Sequence, residues 1–139
     1  MDWPAIFALA NQQKLLPILF ETVRKTPAAE ENAALFSVTK QQVIGQVLNQ
    51  TVRSSEFADL YRKLRTAGLH PIVVKGQLCS RLYPLKDHRI SADDDLYIPN
   101  TEFMACHEQL LANGLTTDTP ADELLTADEV SYTKKDSPL

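Results

Sequence analysis

Apolar residues recur at helical spacing through the first half of the chain. Over residues 3–25 they return mostly every three or four positions, which predicts an amphipathic helix. Pro17 lies inside this segment and predicts a break or kink near residues 14–16, because proline has no backbone N–H to donate. The polar residues 26–32 are then typical of a connecting loop.

A second, longer helix is predicted over residues 39–67. The segment that begins Thr39-Lys-Gln-Gln has the form of a capping box, in which the threonine hydroxyl and a glutamine side chain bind two exposed amides. Gly68 is suited to end the helix, because glycine adopts the left-handed conformation easily. The helix also carries basic residues, which we expect on a solvated face: Arg53, Arg62, Lys63 and Arg65.

The pattern changes near residue 70, where short apolar runs replace helical spacing. Residues 71–74 form a β-branched run that predicts a buried strand, and residues 93–98 predict a second strand. Between them the sequence predicts a short helix over 77–83 and a polar loop over 84–91. Further elements follow, namely a helix over 101–113, a short helix opening at 119–122 and a strand over 130–133. This order predicts an α+β fold, with a helical region over residues 1–68 and a sheet-containing core over 69–139.

The charge distribution offers no basic surface for a nucleic acid. Lys plus Arg total 14 and Asp plus Glu total 18, and the net charge of −4 is carried wholly by residues 115–139. No apolar run approaches the roughly 20 residues of a membrane span, and no signal peptide is recognisable. Cys79 and Cys106 lack metal-ligand spacing, which indicates reduced thiols. We therefore expect a soluble cytoplasmic domain.

Three consecutive aspartates at the start of the second predicted strand carry the clearest chemical signal. Side chains at i and i+2 of a strand point the same way, so Asp93 and Asp95 would converge while Asp94 faces the other side. Converging carboxylates suit Mg²⁺ or Mn²⁺, and magnesium commonly adds phosphate oxygens to one or two protein carboxylates. The alternative is a structural one, in which these carboxylates cap a turn or pair with Arg89 and Lys86.

The turn after the first predicted strand contains a glycine in a position suited to phosphate binding. Gly76 follows Lys75 at the end of the strand and precedes Gln77, which opens the next helix. A glycine in this place lets backbone N–H groups approach an anion. Arg89 is a second candidate for phosphate contact, or it neutralises the aspartates. Together these residues favour a site for a nucleotide and its metal ion.

Segments 71–84 (PIVVKGQLCSRLYP) and 89–98 (RISADDDLYI) resemble the signature of the uncharacterised nucleotidyltransferase family, within the DNA polymerase β-like superfamily. The resemblance covers roughly residues 3–115. It implies N-terminal helices followed by a small mixed sheet with flanking helices. It also implies transfer of an NMP from an NTP to a hydroxyl acceptor, with Mg²⁺ or Mn²⁺ held by Asp93 and Asp95. Nucleotide contacts would come from the other matching positions: Lys75, Gly76, Gln77 and Arg89.

The sequence departs from this pattern in three places. Gln77 stands where many members have Ser or Gly, and Asp94 stands where an apolar residue is usual. The third carboxylate expected on a later strand is missing, since Asp128, Glu129 and Asp136 lie in a predicted helix end and turns. The final predicted strand also has no partner strand after it, so we interpret the chain as truncated at its C-terminus.

Two other functions remain open on the sequence. The chain could be a catalytically degenerate relative that binds nucleotide, or an interaction module whose N-terminal helices contact a protein partner or a second copy. A metal-dependent glycosyltransferase also carries a DxD at a strand end, but that fold places several βα units before it. A carboxylate-bearing strand following Leu139 in the full gene would favour the enzyme over the degenerate relative.

Overall fold

Helices fill the first half of the chain in the computed structural model, which describes residues 1–137. Six α-helices run along the sequence: α1 (Trp3–Gln12), α2 (Leu16–Val23), α3 (Pro27–Glu31), α4 (Ala33–Thr66), α5 (Gln77–Ser80) and α6 (Phe103–Ala112). Two short 3-10 helices lie at Lys86–His88 and Asn100–Glu102.

The strands are short and pair in twos. Strand β1 (Ile72–Val73) pairs antiparallel with β2 (Leu96–Tyr97), with Ile72 opposite Tyr97. Strand β3 (Leu115–Thr116) pairs antiparallel with β4 (Thr133–Lys134). The predicted α+β class is confirmed. Within residues 1–137 the strands form two separate antiparallel pairs, whereas the resemblance implied one mixed sheet.

The helical half matches the sequence pattern except in two places. The predicted break is confirmed, because Lys14 has φ 59° between α1 and α2. Residues 26–32 were predicted as a loop, but Pro27 begins the short helix α3, since its fixed φ suits a first helical position. Helix α4 begins at Ala33, so the predicted start at Thr39 is wrong. The Thr39 hydroxyl donates to the Leu35 carbonyl at 2.9 Å, a bond made in the middle of a helix, whereas at an N-cap the hydroxyl would accept from a backbone N–H.

Later elements are shorter than predicted. Gly68, at φ 82°, closes α4 as expected. Residues 121–126 form turns, so the short helix predicted to open at 119–122 is not observed. Strand β4 falls at the end of the predicted strand 130–133, and its partner β3 was not predicted. A two-residue strand has too few alternating side chains to leave a period in the sequence.

Residues group into two compact units, each with its own apolar core. Unit 1 contains residues 1–52 and 77–92. Its core consists of Phe7, Ala10, Leu16, Phe20, Phe36 and Val43. The rings of Phe7 and Phe36 meet edge to face with centroids 5.1 Å apart, a geometry that aromatic quadrupoles favour.

Unit 2 contains residues 53–76 and the segment from residue 93 onward. Its core consists of Leu60, Leu64, Leu69, Cys106, Leu110 and Leu115. Helix α4 supplies apolar residues to both cores, Phe36 and Val43 to that of unit 1 and Leu60 and Leu64 to that of unit 2. The domain boundary at residue 68 stays a prediction.

Two findings concern the membrane and the cysteine residues, on which the sequence had given expectations. Within residues 1–137 no helix has the length and apolar character needed to cross a membrane. Both cysteines are free thiols, Cys106 buried and Cys79 half-buried. Burial raises the pKa of the Cys106 thiol, so this side chain stays protonated in the core of unit 2.

Glu102 gives unit 2 a pH-dependent contribution to stability. Its carboxylate accepts hydrogen bonds from the His70 backbone N–H at 2.6 Å and is 2.8 Å from the His70 ring. These bonds hold the pKa of Glu102 below its ordinary value of 4.5. A lowered folded-state pKa stabilises the protein above the ordinary pKa, and the stabilisation is lost as the pH falls below that value and through the lower pKa of the folded state.

We therefore expect Glu102→Gln to destabilise the protein at pH 7 and to have a smaller effect at pH 3. Urea unfolding of both proteins at the two pH values measures this difference. Glu108→Gln, a change of the same type on α6, is the control. An effect of Glu102→Gln that is equal at both pH values would contradict the assignment.

Candidate functional site

Pairing of β1 with β2 brings the two sequence motifs side by side. The ladder continues one residue beyond the strands, where the Val74 N–H donates to the Asp95 carbonyl at 3.1 Å. The turn after β1, at Lys75 and Gly76, therefore lies against the aspartates that precede β2. Residues about 20 positions apart in the sequence thus form one local site within unit 2.

Gly76 is required at this turn by both its conformation and its surroundings. Its φ is 59°, in the left-handed region that side chains disfavour. A Cβ placed on it would overlap Asp94 Oδ1 and would lie 3.0 Å from the Asp93 carbonyl oxygen. The carboxylate of Asp94 therefore occupies the space that any other residue at position 76 would fill.

Asp94 points inward and pairs with an arginine from helix α4. Arg53 Nε donates to Asp94 Oδ2 at 2.8 Å, and the two side chains are only 13% and 3% exposed. The sequence had suggested Arg89 or Lys86 as the partner and had placed Arg53 on a solvated face; the placement of Arg53 is corrected, because its side chain is buried in this pair. Forty-one positions separate the two residues, and no local pattern signals a contact across that distance.

Asp95 carries a buried oxygen that lacks a hydrogen bond. Among the described residues, Asp95 Oδ2 is the one buried side-chain nitrogen or oxygen atom for which no hydrogen-bond partner is found. The nearest cation is the Lys75 ammonium, 3.7 Å away on a side chain that is 70% exposed. An anionic oxygen removed from water and from donors is costly unless a cation balances it. This position therefore favours a cation next to Asp95.

The remaining predicted residues lie at the edges of the two motifs. Asp93 is exposed, and its carbonyl oxygen faces Gly76. Gln77 begins α5, and its carbonyl accepts a hydrogen bond from the Ser80 hydroxyl at 2.7 Å. Arg89 is half-buried in unit 1 and donates to the Ser91 hydroxyl at 3.2 Å. Lys75, Gly76, Asp93 and Asp95 belong to unit 2, whereas Gln77 and Arg89 belong to unit 1.

The donor set suits a metal ion that arrives with phosphate. Within residues 1–137 no group of three or more His, Cys, Asp or Glu side chains could hold a metal ion by itself. Asp94 is buried in its pair with Arg53, so the candidate metal ligands are the sequence-predicted Asp93 and Asp95. Magnesium commonly takes one or two carboxylates and completes its shell with phosphate oxygens and water. The residues present fit such a shared site.

A cavity of about 380 Å³ lies in unit 2 and is lined by residues outside these two motifs. It is lined by residues between Thr116 and Thr133, among them the acidic Asp118, Glu123 and Glu129. None of the predicted site residues lines it. An acidic lining disfavours a nucleotide, because the phosphates carry the same sign of charge.

Comparison with known proteins identifies a family for almost the whole chain. A family model described as uncharacterised nucleotidyltransferase matches residues 1–137. The match includes the turn at Gly76 and the three aspartates. Searches of curated proteins and of solved structures gave no significant match.

Proposed function

Since the chain belongs to the family of uncharacterised nucleotidyltransferases, we propose that it transfers an NMP from an NTP to a hydroxyl acceptor with the help of a divalent metal ion. The observation that supports this proposal is the pairing of β1 with β2, beside which the turn at Gly76 lies against the Asp93 backbone and the Asp94 carboxylate, within the three-aspartate motif. A site for nucleotidyl transfer needs these two functions, phosphate binding and metal binding, at one point.

Asp93 and Asp95 are the proposed ligands of Mg²⁺ or Mn²⁺. The buried Asp95 Oδ2, which lacks a hydrogen-bond donor, supports this role. When bound, such ions neutralise phosphate charge and stabilise the attacking and leaving oxygens of an in-line displacement. The protein would contribute the positions of the two carboxylates, of which Asp95 is joined to the ladder through its carbonyl, which accepts from the Val74 N–H.

Lys75, Gly76, Gln77 and Arg89 are the proposed nucleotide contacts. The proposed phosphate donors at this turn are its backbone N–H groups, because the Asp94 carboxylate already fills the space where a side chain of residue 76 would lie. The Lys75 ammonium is exposed and lies beside Asp95, where it can exchange this carboxylate for a phosphate oxygen. In the proposed reaction the acceptor hydroxyl loses its proton to solvent, its oxygen bonds to the α-phosphorus, and the bond from that phosphorus to the departing pyrophosphate breaks.

A second candidate function is nucleotide binding without turnover. It is favoured by a specific observation: among residues 1–137 no third carboxylate or histidine joins Asp93 and Asp95 in a group that could hold a metal ion. A site with two carboxylates can still hold a metal-bound nucleotide. A protein partner or a second copy that binds the N-terminal helices stays a prediction.

Removing the proposed ligands should abolish metal-dependent nucleotide binding. We expect Asp93→Asn and Asp95→Asn each to weaken binding of an NTP by at least about tenfold, which corresponds to about 1.4 kcal/mol. Calorimetric titration of ATP, GTP, CTP and UTP, with Mg²⁺ or Mn²⁺ and with neither, measures this loss. The reason is that asparagine keeps the shape of aspartate but removes the charge that binds the metal ion.

Asp59→Asn is the matched control, because Asp59 is exposed on α4 in an ion pair with Arg62. It should bind nucleotide as the unchanged protein does. Pyrophosphate release that disappears in Asp95→Asn would identify transfer, whereas binding without release favours the second function. Equal affinity in Asp59→Asn and Asp95→Asn, or a folded protein that binds no NTP, would contradict the proposed site.

A further inference from the structure

We propose that Arg53 of helix α4 is a positioning residue of the nucleotide site, which acts through Asp94 on the turn at Gly76. The inference rests on the proposed function and adds to it a residue outside both sequence motifs. Its basis is that the Asp94 carboxylate has two contacts. One oxygen, Oδ2, accepts from Arg53 Nε at 2.8 Å, and the other, Oδ1, lies against Gly76.

The Asp94 carboxylate therefore connects a long helix to the tip of a short turn. Strand β1 has two residues, and its ladder ends at Val74, just before the turn. Two-residue pairing gives little rigidity by itself. Helix α4 is anchored through Leu60 and Leu64 in the core of unit 2. The contact between Arg53 and Asp94 thus holds the turn to helix α4, which is a more rigid element than the short pair of β1 and β2.

Burial makes this contact demanding in its geometry. Arg53 is 13% exposed and Asp94 is 3% exposed, so water cannot replace either partner. A planar guanidinium donates in fixed directions, which orients the carboxylate that it binds. If one partner is removed, the other loses this counter-charge while it stays buried, which destabilises the segment around it.

The orientation of Asp94 also affects its two neighbours. Successive side chains along a paired, extended segment point to opposite sides. Asp94 is nearly inaccessible, whereas the Asp95 side chain is 28% exposed and faces the Lys75 ammonium. By holding Asp94 on the inner side, Arg53 keeps the proposed metal ligands on the outer side. Asp94 is accordingly a positioning residue and not a third metal ligand.

A double-mutant cycle tests the inference with two independent readouts. The variants are Arg53→Met, Asp94→Leu and the double variant, with Arg62→Met as the control because Arg62 forms an exposed ion pair on the same helix. The first readout is hydrogen exchange of the Val74 amide without nucleotide, which reports the ladder next to the turn. The second is calorimetric affinity for the NTP and Mg²⁺.

We expect each single variant to accelerate exchange of the Val74 amide at least tenfold more than exchange of the Leu110 amide in α6, which reports the change in global stability. Each single variant should also bind the nucleotide at least tenfold more weakly. The double variant should exchange the Val74 amide no faster, and bind the nucleotide no more weakly, than the more affected of the two single variants, because the two residues act through one contact. Arg62→Met should match the unchanged protein in both readouts. If Arg53→Met does not fold, Arg53→Lys replaces it, since lysine keeps the charge and loses the fixed donor geometry.

The outcomes separate this inference from the proposed function. Unchanged Val74 exchange in the single variants would overturn the inference, whether or not nucleotide binds. Faster exchange with undiminished nucleotide affinity would also overturn it, because Arg53 would then stabilise the turn without positioning the site. A third outcome combines faster Val74 exchange in the variants with an original protein that binds no NTP. It would refute the proposed function and, with it, Arg53's role in positioning the nucleotide. The contact between Arg53 and Asp94 would still be supported.

Discussion

Replacing Gly76 with alanine should destabilise the protein by up to roughly 4–7 kcal/mol and remove nucleotide binding. The left-handed φ of 59° is the first reason, since it costs a side-chain-bearing residue roughly 1–2 kcal/mol. The second is that the new methyl group would overlap Asp94 Oδ1. Moving this carboxylate away separates it from Arg53, and breaking a buried pair costs roughly 3–5 kcal/mol when complete. Urea unfolding measures the change in the free energy of unfolding.

Two other glycines separate these causes. Gly68 also has a left-handed φ, 82°, but an added Cβ would have no neighbour within 4 Å, so Gly68→Ala measures the conformational cost alone. Gly45 lies inside α4 with open space around it, and Gly45→Ala should stabilise the protein by about 0.4–1 kcal/mol. If Gly76→Ala cost no more than Gly68→Ala, the Asp94 carboxylate would not occupy the space beside Gly76.

Removing the arginine of the buried pair is the second large expected effect. Arg53→Met should reduce the free energy of unfolding by roughly 3–5 kcal/mol, because it leaves the Asp94 carboxylate without this partner. Methionine keeps much of the apolar length of arginine, so the loss reflects charge more than packing. Urea unfolding with both proteins at the same pH and ionic strength gives the difference.

The double variant Arg53→Met/Asp94→Leu should recover most of that stability. Two apolar side chains of similar volume need no counter-charge, and such replacements of buried pairs are often neutral. Arg62→Met removes an exposed pair on the same helix and should change stability by at most about 1 kcal/mol. A cost for Arg53→Met as small as that of Arg62→Met would show that the pair is not effectively buried.

Much of the proposed site could be predicted because its signals are local. The turn at Gly76 and the aspartates at 93 and 95 each occupy a few consecutive residues, and each motif adjoins a run of strand-forming residues. Antiparallel pairing of β1 with β2 then brings them together. The metal and nucleotide roles of these residues stay predictions until binding is measured. Their position next to one another is a finding of the structure.

Other features could not be predicted, because long-range contacts decide them. The charges on residues 53 and 94 are visible in the sequence, but a charge pattern alone does not distinguish a buried pair from two solvated side chains. The start of α4 was placed at Thr39 on the strength of a capping pattern. The Thr39 hydroxyl instead bonds to the preceding helical turn, and its burial within unit 1 favours that arrangement.

The sequence by itself determined the helices with a repeated apolar period, the break before Pro17, the end of α4 at Gly68 and the two motifs of the candidate site. These depend on residues within one or two turns of each other, where backbone geometry and spacing are decisive. Only the tertiary structure decided that Asp94 faces inward, that Arg53 is its partner and that β3 pairs with β4. Each of these joins distant segments, and their free energy comes from burial and pairing that exist only once the chain has folded.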